Sequence, residues 1–367
     1  MDVRKGALES VVIKKNHFFR DAADVVSGLG LLNKRFEGKR ILLTGVAGFL
    51  GAQFVHYFMA LNESDKFKHP CKLTGTDNFL RGYPMWIEAF SRRDDFQVRE
   101  ENIVTQRKFS YYDYIIHAAS VASPTYYRKY PIETMDANVI GLRNLLDHAV
   151  INPPEGFLYF STSEIYGDPD PANIPTKELY RGNVSCTGPR ACYDESKRFG
   201  ETMCVNFFRV HQIPVVIVRP FNNYGPGLHI SDRRVIPDFF RDALANRNIV
   251  LLSDGQATRT FCYVSDALEG YLRALLLGVR GESYNIGTES PEISMTDLAK
   301  QVIDVVGANI KVESQKSPDK NYTSDNPKRR CPDISKARKD IKYNPRISLK
   351  EGLVRTCAYY KETSIES

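Results

Sequence analysis

The stretch ILLTGVAGFLG at residues 41–51 decides the fold of this 367-residue chain. It begins with a short apolar run, continues with glycines at positions 45, 48 and 51, and leads into a segment with helical spacing. In a strand-to-helix turn of this kind, the first glycine permits a tight turn and the second lets backbone N–H groups approach a pyrophosphate. The third allows the helix to pack closely on the strand. The stretch therefore predicts a dinucleotide-binding turn at the first strand of a sheet.

The chain up to about residue 223 alternates short apolar runs with longer segments of helical spacing. Runs without strict alternation of apolar and polar residues are typical of strands that are buried on both faces of a parallel sheet. The predicted strands are 41–43, 72–76, 114–116, 157–160 and 215–218, and the predicted helices are 49–61, 132–150 and 195–211. These strand–helix units predict an α/β fold with a Rossmann-type doubly wound parallel sheet.

Composition narrows the class of partner. The 44 acidic residues are interspersed among 50 basic ones, so the net charge of +6 gives little support for nucleic-acid binding. No continuous apolar run is long enough for a membrane helix, and none resembles a signal peptide. The seven cysteines are scattered without a C-x-x-C pair, which favours free thiols in the cytoplasm over a metal site or disulfides.

Asp77 closes the second predicted strand, where a carboxylate can accept hydrogen bonds from the hydroxyls of an adenosine ribose. An acidic side chain at this place would repel a 2′-phosphate, so we expect NAD and not NADP as the cofactor. The alternative is that Asp77 only serves the turn.

Tyr193 and Lys197 are four residues apart in a predicted helix and project from one face of it. An ammonium near a phenol stabilises the phenolate, so Tyr193 could take a proton from a substrate hydroxyl as hydride leaves. Thr162 follows the predicted strand 157–160, at the end where parallel sheets place their ligands. We therefore expect Thr162 to hydrogen-bond the same substrate oxygen.

Together, the glycine turn, the segment HAAS at 117–120, Thr162 and the Tyr193/Lys197 pair resemble the extended short-chain dehydrogenase/reductase family. Its members use tightly held NAD on nucleotide-activated sugars. The resemblance runs from about residue 40 into the C-terminal region and does not cover residues 1–38. Residues 1–38 mix apolar and charged positions, which predicts an N-terminal helical extension packed outside the main domain. The resemblance implies an NAD-binding Rossmann domain with the catalytic residues at 39–223, and a smaller α/β lobe, mainly for the nucleotide sugar, at 224–367.

The same resemblance implies roles for individual residues. The implied catalytic residues are Tyr193, Lys197, Thr162, Glu164 and Arg259. The implied contacts to NAD are Gly45, Gly48, Phe49, Leu50, Gly51, Asp77, Asn78, Asn102, Ala118, Ala119, Ser120, Asn138, Tyr193, Lys197 and Pro220. The implied substrate contacts are Ser123, Tyr126, Asn222, Arg234, Arg259 and Arg330. From spacing alone, Glu164 could equally cap a turn, and Arg259 and Arg330 could be surface ion pairs.

Within this family the pattern is most similar to the UDP-glucuronate decarboxylases, through STSEIYGDP at 161–169, TGPRACYDE at 187–195 and TRTF at 258–261. The resemblance implies oxidation at C4 of a UDP-linked hexuronate and loss of CO₂ from the resulting β-keto acid. The 4,6-dehydratases carry an Asp-Glu pair after the threonine. Here Ser163 precedes Glu164, which disfavours dehydration. A 4-epimerase and a non-catalytic NAD-binding scaffold remain as alternatives.

Two further expectations concern identity and assembly. Leu252 and Ala257 stand where the decarboxylases usually have an aromatic residue and a Gln, which leaves the nucleotide and the exact sugar open. The helices 132–150 and 195–211 have more apolar positions than one sheet face needs, and the resemblance implies that they pair across a homodimer. We expect no metal, nucleic-acid or membrane partner.

Overall fold

A seven-stranded parallel sheet dominates the computed structural model, which describes residues 17–64, 67–316 and 327–363. Its strands are β1 (Arg40–Thr44), β2 (Lys72–Asp77), β3 (Phe96–Glu100), β4 (Tyr114–His117), β5 (Gly156–Phe160), β6 (Val215–Pro220) and β7 (Ser283–Ile286). They lie in the order β3-β2-β1-β4-β5-β6-β7, and every neighbouring pair is parallel. The order reverses between β1 and β4, which opens a crevice at the carboxyl ends of these strands. The predicted Rossmann-type sheet is confirmed.

Helices cover both faces of the sheet and build the lobe beside it. They are α1 (His17–Leu29), α2 (Phe49–Asn62), α3 (Pro124–Lys129), α4 (Pro131–Asp136), α5 (Leu142–Ile151), α6 (Ala191–His211), α7 (Val235–Leu244), α8 (Val264–Leu277), α9 (Met295–Val306), α10 (Ser335–Ile341) and α11 (Leu349–Thr363). The predicted helix 132–150 is interrupted by one π-helical turn, Ala137–Gly141, between α4 and α5. Such turns are frequent at functional sites, and this one carries Asn138.

The chain beyond residue 224 contributes to two hydrophobic cores. Helices α7, α9 and α11 enclose a second hydrophobic core around Phe240, Leu298 and Leu353. Strand β7, in contrast, returns to pair with β6, and α8 packs on the same sheet. Helix α10 also belongs to the core of the sheet, through Ala337 and Ile341. Parts of the chain on the far side of the proposed boundary near residue 224 therefore share the first core. The division into three segments stays a prediction.

Helix α1 shares the core of the sheet. Val25, Val26 and Leu29 lie in one buried cluster with Ile41 and Leu43 of β1. Residues 17–36 therefore contribute to the main core and do not pack outside it, contrary to expectation, and residues 1–16 lie outside the described part. The physical reason is visible in α2, which is apolar around most of its circumference and is almost wholly buried. A helix of that kind needs cover on both sides.

A buried polar contact also fixes α1. Asp21 accepts hydrogen bonds from the Tyr263 hydroxyl at 2.7 Å and from Arg355 Nη1 of α11 at 3.0 Å. Arg355 also donates to Asp24 at 2.9 Å. These bonds join the two ends of the described chain.

Across the described ranges, no helix is both long and apolar enough to cross a membrane, and no group of three or more His, Cys, Asp or Glu side chains could hold a metal ion. All seven cysteines are free thiols.

Leu29 and Leu31 test whether α1 belongs to the core, since the first is 3% exposed and the second 90%. We predict that Leu29→Ala lowers the free energy of unfolding by about 2–5 kcal/mol, because a buried leucine leaves a cavity. Leu31→Ala should change it by less than about 0.5 kcal/mol. Chemical denaturation of both variants measures the difference. Equal values would show that α1 adds nothing to the core.

Candidate active site

The glycine turn between β1 and α2 has three different physical demands. Gly45 has φ 76° and donates its N–H to Thr76 O at 2.8 Å, and a Cβ there would lie 2.7 Å from the backbone of Ala119. A Cβ on Gly51 would collide with the carbonyl oxygens of Gly45 and Val46. Gly48 has an ordinary φ of −75°, and its Cβ would meet only Gly45 O, at 3.3 Å. Gly48 is thus needed for open space and not for its conformation.

That open space is part of a cavity of about 1290 Å³ at the carboxyl ends of the strands. The cavity is large enough for a dinucleotide, since pockets for drug-sized ligands measure roughly 300–1,000 Å³. Its lining includes the predicted cofactor residues Gly45, Gly48, Phe49, Asp77, Asn78, Asn102, Ala118, Ala119 and Ser120. The hydroxyl of Ser120 is buried there without a hydrogen-bond partner. Leu50, Gly51, Asn138, Tyr193, Lys197 and Pro220 are not among the lining residues.

Asp77 serves the turn as well as the cavity. Its Oδ2 accepts from Ala47 N–H at 3.0 Å and its Oδ1 from Phe79 N–H at 2.9 Å. Burial raises the pKa of Asp77, although these two backbone donors act in the opposite direction. Asn102 likewise lines the cavity and also stabilises its own turn, because its Oδ1 accepts from Val104 N–H at 3.0 Å. The hydrogen bonds of Asp77 to its turn are thus observed, and its contact with an adenosine ribose stays a prediction.

The structure brings Tyr193, Lys197 and Thr162 together beside this cavity. The Tyr193 hydroxyl is hydrogen-bonded to Thr162, and its ring stacks on Tyr127 at 5.2 Å between centroids. Lys197 Nζ lies 6.0 Å from the centre of the Tyr193 ring and donates to Phe160 O at 2.7 Å. Helix α6 supplies the tyrosine and the lysine, and the end of β5 supplies the threonine.

Burial dominates the protonation of this group. It raises the pKa of Tyr193 to about 12, although the Thr162 hydroxyl and the Arg234 guanidinium lower it. Burial lowers the pKa of Lys197 to about 7. Because Lys197 Nζ donates to the carbonyl oxygen of Phe160, the expected stabilisation of the phenolate by Lys197 stays a prediction.

Glu164 lies at the centre of a basic cluster. Its Oε2 accepts from Arg190 and, at 2.5 Å, from Arg330 Nη2. Burial raises the pKa of Glu164, but Arg190, Arg330 and Arg259 outweigh this effect and lower the pKa to about 2. Glu164 therefore pairs with arginines and does not simply cap a turn; the cap of that turn is Thr162, whose Oγ1 accepts from Glu164 N–H at 3.2 Å.

Arg259 and Arg330 are adjacent because their two short strands pair in register. Arg259 donates to the carbonyl oxygens of Thr258 at 2.7 Å, of Lys328 at 3.2 Å and of Pro327. Burial and the nearby Arg330 lower the pKa of Arg259 to about 9. The guanidinium is thus buried in the cluster, though directed largely at backbone oxygens.

Sequence reasoning gave no role to two members of the cluster. Arg190 bridges Glu164 and Asp194, with 3.6 Å between its Nε and Asp194 Oδ2. Burial and the charge of Glu164 raise the pKa of Asp194 to about 7. Their signal was position, since Arg190 is three residues before Tyr193 and Asp194 directly follows it.

Three other predicted substrate residues, Ser123, Arg234 and Asn222, contact residues of the C-terminal lobe. Ser123 Oγ donates to Asp232 O at 3.2 Å, and Arg234 Nε lies 3.0 Å from Asp232 Oδ1. Asn222 donates to Thr260 O at 2.9 Å and faces Arg330 Nη1 at 3.5 Å.

Tyr126 lines the cavity, whereas Asn138 is hydrogen-bonded to Ser196 at 2.9 Å. Leu50 and Pro220 belong to the first turn of α2 and the end of β6.

Comparison with known proteins identifies the family. Residues 41–287 match the family described as the NAD dependent epimerase/dehydratase family. The chain belongs to this family. NAD is its cofactor, and the cavity lined by the glycine turn and Asp77 fits that group. The resemblance that the sequence motifs carried is therefore confirmed.

Relatives within the family are similar over most of the chain. UDP-glucuronic acid decarboxylase 6 of Arabidopsis thaliana is 37% identical over 325 residues, which is 88% of this chain and 90% of the relative. UDP-glucuronic acid decarboxylase 1 of Xenopus tropicalis is 35% identical over 326 residues, 89% of this chain and 73% of the relative.

Solved structures share the family fold. A UDP-glucose 4-epimerase from Thermotoga maritima, solved with UDP-glucose, has a TM-score of 0.76 at 24% identity and covers 89% of this chain and 99% of its own. A UDP-glucuronic acid 4-epimerase mutant from Bacillus cereus was solved in complex with UDP-4-deoxy-4-fluoro-glucuronic acid and NAD. It has a TM-score of 0.71 at 25% identity and covers 88% of this chain and 99% of its own.

Alanine at Gly48 should affect mainly NAD binding, whereas alanine at Gly51 should affect mainly stability. We predict that Gly48→Ala keeps its unfolding midpoint within about 2 °C of the native value, since its Cβ meets only one atom. The methyl group should nevertheless weaken NAD binding at least about tenfold, because it occupies space beside the cofactor. Gly51→Ala should instead lower the midpoint clearly, because two carbonyl oxygens must move. Calorimetry and NAD titration measure both effects; equal NAD affinity for Gly48→Ala and native protein contradicts the assignment.

Proposed function

We propose that this chain is an NAD-dependent decarboxylase that removes CO₂ from a UDP-hexuronate, as in the conversion of UDP-glucuronate to UDP-xylose. The observation that supports this most is the similarity to UDP-glucuronic acid decarboxylases over 88% of the chain. The site also contains suitable groups, because the phenol of Tyr193, which could act as a base, lies beside a cluster of arginines that could bind a carboxylate.

The first step in the proposal takes a proton from the C4 hydroxyl of the sugar. Tyr193 is the base, and Thr162, to which its hydroxyl is bonded, would share the same substrate oxygen. NAD supplies the acceptor for the hydride from C4 and later its donor. Once C4 is a ketone, the sugar is a β-keto acid. When the C6 carboxylate leaves as CO₂, the electron pair of the broken bond is delocalised onto the ketone oxygen as an enolate. Hydrogen bonds from Tyr193 and Thr162 would stabilise that enolate.

The basic cluster fits an anionic substrate. Three guanidiniums, those of Arg190, Arg259 and Arg330, surround Glu164 and Asp194. With three guanidiniums and at most two carboxylates, the cluster carries more positive than negative charge near neutral pH. A uronate carboxylate and a diphosphate would both be attracted to it. In this proposal Arg259 and Arg330 exchange part of their present contacts for the substrate, and Glu164 keeps them in place.

Tyr193→Phe tests the proposed base. We predict that the variant releases CO₂ from UDP-glucuronate about 10²- to 10⁴-fold more slowly than the native protein, because the proton acceptor is lost. NAD content should stay unchanged. Tyr111→Phe is the matched control, since its partly exposed hydroxyl contacts Asp113 on the far side of the domain and should leave the rate unchanged.

The products distinguish this proposal from its rivals. Native protein that yields CO₂ and a UDP-pentose supports decarboxylation, whereas an isomer of unchanged mass indicates a 4-epimerase. A native rate in Tyr193→Phe would overturn the role of this residue. Mass spectrometry of the nucleotide sugars and trapping of labelled CO₂ give both readings.

We also propose that the protein is a cytoplasmic homodimer. The apolar side chains Ile140, next to α5, and Phe199 and Val210 of α6 are exposed on one pair of neighbouring helices, and Arg143 lies 5.1 Å from the ring of Phe207 on the same surface. Exposed apolar groups that lie together are typical of interfaces. Pairing of α5 and α6 with a second copy would cover them.

Phe199, whose side chain is half exposed, tests this interface. We predict that Phe199→Glu sediments as a monomer at micromolar concentration, because the interface would have to bury a charge. Leu31→Glu introduces the same charge at an exposed apolar residue outside the proposed interface and should leave the dimer intact. Native protein that sediments as a stable monomer contradicts the proposal.

A further inference from the structure

A salt bridge crosses the mouth of the cofactor cavity. Loop 78–84 directly follows Asp77, and its Arg81 reaches Asp232 of the C-terminal lobe, with 2.8 Å between Nη2 and Oδ2. The guanidinium also lies 4.5 Å from the centre of the Tyr126 ring, in a cation–π contact. Both Arg81 and Asp232 line the cavity. The bridge therefore joins the side that binds adenosine to the side that would bind the sugar nucleotide.

The two partners differ in how firmly they are held. The Asp232 side chain is 3% exposed, its N–H donates to His229 O at 2.9 Å, and its carbonyl accepts from Ser123. Its loop is anchored further by Gln53, which donates to Pro226 O at 2.7 Å. The Arg81 side is lightly packed, because Leu80 and Tyr83 are exposed and a Cβ on Gly82 would meet no atom within 4 Å. Loop 78–84 is thus the half that the bridge restrains.

Asp232 has a second basic partner, Arg234, whose Nε lies 3.0 Å from its Oδ1. One buried carboxylate is consequently shared by an arginine from the cofactor loop and by one at a predicted nucleotide contact. Arg234 also acts on Tyr193, whose pKa it lowers. A chain of contacts therefore spans the site from the cofactor loop to the proposed base. It runs through Arg81, Asp232, Arg234 and Tyr193.

We propose that Arg81 is a positioning residue that closes loop 78–84 over bound NAD and, by sharing Asp232, orients Arg234 for the nucleotide of the substrate. The first half requires only that NAD occupies the cavity, whereas the second rests on the proposed function. Loss of Arg81 frees the loop at the cofactor and leaves Arg234 as the other basic partner of Asp232, which draws Arg234 away from the substrate.

The rate at which NAD leaves the NAD-loaded protein tests the first half without any turnover. We predict that Arg81→Met releases NAD about tenfold faster than the native protein. Arg81→Lys should give an intermediate rate, because a lysine keeps the charge but not the geometry of the guanidinium. Arg92→Met removes the same charge from an exposed position of the neighbouring turn and should release NAD at the native rate. Unfolding midpoints within about 2 °C of the native value would show that the fold is intact.

The affinity for UDP tests the second half. We predict that Arg81→Met binds UDP about fivefold more weakly in the NAD-loaded state, and that Arg92→Met binds it normally. Native NAD release in Arg81→Met would overturn the proposal, and native UDP affinity would overturn the link through Asp232 to Arg234. Failure of the proposed function has a different signature, because the native protein would then leave UDP-glucuronate unconverted while the difference in NAD release persisted.

Discussion

In the proposed mechanism, the loss of a proton from the buried phenol of Tyr193 is the requirement on which the rest of the site depends. Burial holds the pKa of that phenol near 12, far above neutral pH. Only the Thr162 hydroxyl and the Arg234 guanidinium act clearly against this effect, while Lys197 remains bonded to Phe160 O. Positive charge brought close to the phenol would lower this pKa and favour the phenolate that the proposed mechanism needs.

A buried hydrogen-bond network holds the elements around Tyr193 in place. The strand end that carries Thr162 is held by a buried network in which Ser161 Oγ donates to Glu201 at 2.5 Å and Arg219 donates to the same carboxylate at 2.6 and 2.8 Å. Glu201 lies one turn beyond Lys197 on α6, so the network fixes the helix that carries Tyr193 against the strands β5 and β6. A site that depends on small electrostatic differences needs such a fixed geometry.

The sequence predicted the inner part of the fold more fully than its margins. The buried strands β1, β4, β5 and β6 were recognisable because a continuous apolar run is their signature. The edge strands β3 and β7 were not predicted, since Phe96–Glu100 mixes apolar and charged residues and Ser283–Ile286 is only four residues long. The buried face of α1 was missed as well, although the nearly unbroken apolar sequence of α2 indicated that another helix covers it.

The candidate site was also predictable only in part. Features set by local backbone geometry and motif spacing were predicted, and contacts between distant segments were not. The glycine turn and Asp77 could be located because backbone geometry restricts which residues such a turn tolerates. Motif spacing also brought Tyr193, Lys197 and Thr162 together correctly. It could not reveal that Lys197 is bonded to a backbone carbonyl, that Arg190 holds Glu164, or that Arg81 crosses the cavity. Those contacts depend on segments that are distant in sequence, and only packing decides which of them meet.

Turnover of UDP-glucuronate deuterated at C4 tests the central claim most directly. If Tyr193 takes the hydroxyl proton while the hydride passes to NAD and returns, CO₂ is released and the UDP-pentose keeps its deuterium at C4. Protons from the solvent then appear only at the carbon that lost the carboxylate. A pentose without deuterium at C4, or no release of CO₂ at all, would contradict the account.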